Sequence, residues 1–109
     1  MTYDEFTRAM HAGMEKMMHD MHKASPSGNP DVDFLSMMIP HHEGAVEMAR
    51  LVLIHGRDPL VRQLAEEIIA GQTTEVSAMR SRLARLRHGG DGNPEGFPAL
   101  GSTRGPVQQ

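Results

Sequence analysis

Ten methionines and seven histidines occur in a chain of 109 residues that has no cysteine and no tryptophan. Without thiols, a metal site here must be built from imidazole, thioether and carboxylate. Thioether sulfur is a soft, neutral donor that favours Cu(I), and Ag(I) by the same softness, over Zn(II), Fe or Mg(II); imidazole accepts Cu(I) and Cu(II) alike. The rival explanation is packing, because flexible thioethers fill the core of a small bundle that is poor in aromatics. Packing alone does not explain where the methionines fall. Met37, Met38, His41 and His42 lie within six residues of one another, with Pro40 immediately before the histidine pair.

These residues need elements to position them, and the sequence marks three helices. Thr2 with Glu5 three residues later is a capping box, opening a periodic stretch that ends near Lys23 before Ser25-Pro26. Asn29-Pro30 opens a second helix to His55, with Gly56 as its expected left-handed terminator, and Asp58-Pro59 opens a third to about His88. Arg80, Arg82, Arg85 and Arg87 near its end read as a solvated face. Residues 1–88 thus form one helical domain, and residues 89–109, rich in Gly and Pro without periodicity, read as a disordered tail. Short connections give an all-α, antiparallel up-down-up bundle. Three amphipathic helices bury little area per residue, so two chains are expected to associate as a homodimer.

At 100° per residue, Leu35, Met38, His42, Ala45, Val46, Ala49 and Leu53 share the apolar side of the second helix. His41 falls on the adjacent stripe with Phe34, Met37, Gly44 and Met48, so both histidines are expected to face inward. Pro40 either re-aims this pair by bending the helix or merely curves it around the core. The first helix aligns Met10, Met14, Met17 and Met21, with His11, Met18 and His22 a quarter-turn away, and contains neither Leu nor Ile. In the third, Val61, Leu64, Ala65, Ile68, Val76, Leu83 and Leu86 share their stripe with Gln72, Glu75 and Met79. Polar groups in such a stripe need partners. If the first two helices turn about residues 25–30, paired numbers sum to about 55, setting Met14 opposite His41, Met18 opposite Met37 and Met17 opposite Met38. For the second pair the sum is about 114, which brings Gln72 and Glu75 to His42, either to orient its imidazole or to ligate. His19, His55 and His88 read as helix-end or solvated residues.

Other classes fit poorly. No Glu or Asp has a His three residues later, as di-iron carboxylate bundles require, and Val46 stands where a zinc-protease His would follow His42-Glu43. No nucleophile stands beside a base, so an enzyme is not expected. A net charge of −3 lacks the basic excess of a nucleic-acid or anionic-membrane partner. No apolar run reaches the ~20 residues of a membrane helix. The N-terminus carries no leader pattern, which leaves a cytosolic chain or one whose leader has been removed; a thiol-free site suits an oxidising, extracytoplasmic compartment. The alternative to copper binding is a metal-free interaction module with an adaptable methionine surface.

The stretch from Asp31 to Leu83 resembles a bacterial domain-of-unknown-function family that includes periplasmic copper-binding CopM-like proteins. The resemblance rests on Met38-Ile39-Pro40-His41-His42, Ala45-Val46-Glu47-Met48-Ala49 and the pattern Gln72, Glu75, Met79. It implies a ferritin-like bundle, export to the periplasm, copper resistance, and a motif carried by Met38, His41, His42, Met48, Gln72, Glu75 and Met79. Copper-handling proteins would then be partners. Family members commonly have a Trp after the methionine of the third helix, where this chain has Arg82-Leu83. Met14, Met17 and Met18 lie outside the matched stretch, so their assignment to the site rests on facing and register.

Overall fold

The computed structural model describes residues 2–24 and 26–88. The region read from composition as a disordered tail lies outside them. The order is α1 (Tyr3–Lys23), α2 (Pro30–His55) and α3 (Pro59–Arg87), an all-α up-down-up bundle. None of these helices is long and apolar enough to cross a membrane.

Each start is fixed by its cap. Glu5 N–H donates to Thr2 Oγ1 at 3.1 Å while Thr2 N–H donates to the Glu5 carboxylate at 2.7 Å. These bonds, the backbone one foremost, hold the Glu5 carboxyl below its ordinary value. Asn29 Oδ1 accepts from Asp31 and Val32, and Asp58 accepts from Val61. Gly56 ends α2 at φ −78°, extended rather than left-handed. Its need for glycine is space: a Cβ there would lie 2.9 Å from the Val52 carbonyl oxygen. Arg62 then closes the α2–α3 turn, donating to the carbonyls of Leu53 at 2.7 Å and Gly56 at 3.0 Å.

α2 is the middle helix; it packs on α3 along one side and on α1 along another, while α1 and α3 scarcely meet. The result is flattened, 49 × 31 × 17 Å, with a radius of gyration of 16.6 Å. A compact domain of 100 residues has about 13 Å. The core is correspondingly thin. Val32, Leu35, Ile39, Val76 and Leu83 form its main cluster, all from α2 and α3, with Met79 and Leu86 against it. No residue of α1 is buried. Val61, Leu64 and Ile68, expected in the core stripe, are exposed, because α2 alone cannot cover that side of α3.

The α1–α2 register differs from expectation. Met17 lies against Gly44, and Phe6 stacks on His55 at 5.0 Å, so paired numbers sum to 61. Relative to a sum of 55, α1 has slid by about six residue rises, or ~9 Å. The cause is the connector, which folds back along α2: Ser27 N–H and Oγ–H both donate to Asp33 Oδ1. The slide also gives His55, expected as a solvated helix end, a packing role between the rings of Phe6 and Tyr3.

Candidate metal centre

α2 and α3 bring four potential donors to two adjacent levels of one helix pair. His42 Nε2 lies 2.9 Å from Glu75 Oε1, with the imidazole side chain 15% exposed and the carboxylate 56% exposed. The other ring nitrogen, Nδ1, is 3.0 Å from the Met38 carbonyl oxygen, which can only accept. Nδ1 therefore carries the hydrogen, and Nε2 is aimed at the gap between the helices. Fixing one imidazole N–H on a backbone carbonyl is how metal-ligating histidines are oriented and their tautomer set. Met38 sits one turn before His42, and Met79 one turn after Glu75. In an antiparallel pair, the register that joins 42 to 75 also sets 38 across from 79, so Met38 and Met79 form a second, half-buried level one turn along from the imidazole–carboxylate contact.

Nearby, Gln72 Oε1 is buried without a hydrogen-bond partner, one turn before Glu75. An orphaned acceptor beside an imidazole and a carboxylate suits a cation or its water. Among the described residues no three His, Asp or Glu converge on a point.

The remaining expected residues fall elsewhere. His41 is exposed, its ring centroid 5.9 Å from that of His42 and tilted by 58°, not inward as the stripe suggested. Met14, Met18 and Met37 are 42%, 49% and 44% exposed. The 9 Å slide removes the pairs Met14–His41, Met18–Met37 and Met17–Met38. Met17 and Met48 instead line a separate groove of about 740 Å³, together with Gly44 and Lys16. Met18 and His22 repeat on α1 the arrangement of Met38 and His42, with His22 Nδ1 2.8 Å from the Met18 carbonyl. Two residues read as solvated are inter-helix clamps: Arg80 pairs with Glu43, and Arg87 Nη2 donates to Ser36 Oγ at 3.1 Å. Their partners Glu43 and Ser36 lie on one side of α2, seven residues apart, across from Arg80 and Arg87, which are themselves seven apart on α3.

The fold and this centre define a small helical protein with a His, Glu and Met donor set held between two antiparallel helices. Residues 1–83 match the family model described as Domain of unknown function (DUF305), and the chain belongs to that family. It is also 40% identical over 53 residues to Uncharacterized protein L153 of Acanthamoeba polyphaga mimivirus. The match covers 49% of this chain and 35% of that protein, so the chain spans about a third of the viral protein's length.

Proposed function

We propose that this protein binds copper, Cu(I) in preference to Cu(II), at Met38, His42, Glu75 and Met79, to sequester it or pass it on. The observation that carries the reading is the His42 imidazole, fixed through Nδ1 on the Met38 carbonyl with Nε2 2.9 Å from Glu75 Oε1, one turn along from the level that Met38 and Met79 share. Two soft sulfurs and one imidazole match Cu(I), while the carboxylate offers Cu(II) a harder donor. Silver fits the same sulfurs. The protein acts as a carrier or sink rather than an enzyme, outside the cytoplasm where a cysteine-free site survives oxidation, and it contributes to copper resistance. His41, exposed beside His42, serves as the entry residue from solvent or from a copper-handling partner.

Elemental analysis of protein isolated from copper-supplemented cells, with Cu(I) competition against a chromophoric chelator, tests this. The expected result is bound copper that is lost in His42→Ala. Equal retention by wild type and by His42→Ala with Met38→Leu would refute it. Because imidazole competes with protons for a metal and thioether does not, Cu(II) binding should weaken below about pH 6 more than Cu(I) binding. The exposed apolar side chains favour a second reading, a metal-free interaction module, which predicts no metal on isolation and full function after Met→Leu exchange.

A further inference from the structure

The two broad faces of the flattened bundle differ in chemistry. One carries a charged groove lined by Lys16, Asp20, Glu43, Arg80 and Arg87. At 100° per residue, Met14 and Met18 of α1, Phe34 and Met37 of α2, and Leu64 and Ile68 of α3 turn toward the opposite face. These six are between 41% and 61% exposed. Leu60 and Val61, 70% and 46% exposed, continue the apolar strip toward the start of α3. Together these side chains expose on the order of 800 Å² in all, spread along the length of the layer. That total is close to the roughly 800 Å² that each partner gives to a standard interface.

We infer that a second copy of this chain covers this methionine face, giving a two-layer, two-fold symmetric dimer. Three observations select that occupant. First, no residue of α1 is fully buried within one chain, and the layer is 17 Å thick. A helix layer with an apolar side needs a second layer to bury it. A partner that every molecule can find is another molecule of the same kind. Second, the face is self-compatible: the Glu75 carboxylate on it is already paired with His42, so a two-fold contact sets no unpaired carboxylate against its own image. Third, the basic side chains Lys16, Lys23, Arg80 and Arg87 lie on the other face, around the charged groove, and Arg82, five turns beyond Leu64, is the single arginine of α3 that shares the direction of that strip residue. An anionic membrane would need them beside the apolar strip. The dimer brings His41, Met37 and Met18 of each copy into the interface, but apolar burial drives it, and it does not depend on copper.

Sedimentation of the metal-free, full-length protein in a chelator at about 50 μM tests the inference. The expected species has twice the 12.0 kDa chain mass. Leu64→Glu combined with Phe34→Glu, one charge toward each end of the strip, should weaken association about 100-fold, while circular dichroism shows unchanged helix content. Lys16→Glu on the charged face should leave the dimer intact. A monomeric wild type, a dimer only when Cu(I) is present, or a dimer undisturbed by the two Glu substitutions would each overturn the inference. So would a monomer that co-sediments with phosphatidylglycerol vesicles, which would assign the face to lipid.

Discussion

Met38→Leu separates the sulfur of the proposed copper site from its scaffold. His42 is oriented by the carbonyl of Met38, not by its side chain, so leucine at 38 keeps the 3.0 Å bond that aims Nε2. Leucine is close to methionine in volume, and such a swap costs under about 1.5 kcal/mol. For a domain of this size 1 kcal/mol shifts the melting temperature by roughly 4–8 °C, so the metal-free variant should melt within about 10 °C of wild type. Met79, which packs on the Val32–Leu83 core cluster, is replaceable on the same terms. If each thioether ligates, each substitution should weaken Cu(I) at least about tenfold, or 1.4 kcal/mol, and the pair about 100-fold. Cu(II), held through imidazole and carboxylate, should change less than about threefold. Competition titrations with a Cu(I)-specific chelator, paired with Cu(II) titrations on the same samples, read this contrast. Unchanged Cu(I) affinity in the double variant, with folding intact, would show that the sulfurs are packing and would refute the donor assignment.

Gly56→Ala should destabilise by about 1–3 kcal/mol, because the new methyl meets the fixed Val52 carbonyl rather than a movable side chain; thermal melting that is unchanged or improved would refute the close-approach argument. Arg62→Met should cost about 1–3 kcal/mol by stripping a charged donor from two part-buried carbonyls, and hydrogen exchange should report the loss first at the end of α2 and the start of α3. The Lys16 hydrogen bond holds the Asp20 carboxyl below its ordinary value, as the Thr2 bonds do for Glu5, so both contributions are complete above the ordinary carboxylate range and are lost as pH falls through the lowered values. α1 amides should therefore exchange faster relative to those of α3 at pH 3 than at pH 6, and equal ratios at the two values would count against this.

The helices were legible because their punctuation is local. Thr2 with Glu5, Asn29-Pro30 and Asp58-Pro59 each satisfy orphan N–H groups within a turn, and the structure uses all three as read. The α2–α3 level was legible too, since a short turn leaves little slack and Glu75 lies within one turn of where the count placed it. The α1–α2 level was not. Its connector consumes length by folding back onto Asp33, a hydrogen bond between residues six apart that no periodic pattern announces. His41 was misplaced although α1 does reach its level, with Asp20 across from it by the observed register. α1 packs on the Gly44 edge of this stripe and leaves the His41 edge exposed. Arg80 and Arg87 were read from their position near a helix end, whereas their roles depend on which α2 residues lie across from them.

The methionines consequently divide into two populations with different work. The proposed donors Met38 and Met79 are half-buried and belong to the α2–α3 hairpin, which also supplies every residue of the main core cluster. The proposed donors therefore all sit on the helix pair that builds the main core, and none of the four comes from α1. Met14, Met18 and Met37 are exposed on the broad face, where an unbranched, polarizable side chain adapts to a surface opposite rather than to a fixed cavity. A single side-chain chemistry meets both demands, since thioether sulfur is soft enough to ligate and apolar enough to pack. Replacing the exposed group by leucine should spare Cu(I) affinity, and replacing the hairpin pair should spare association. A set of variants in which both properties fell together would mean that the two populations are one site.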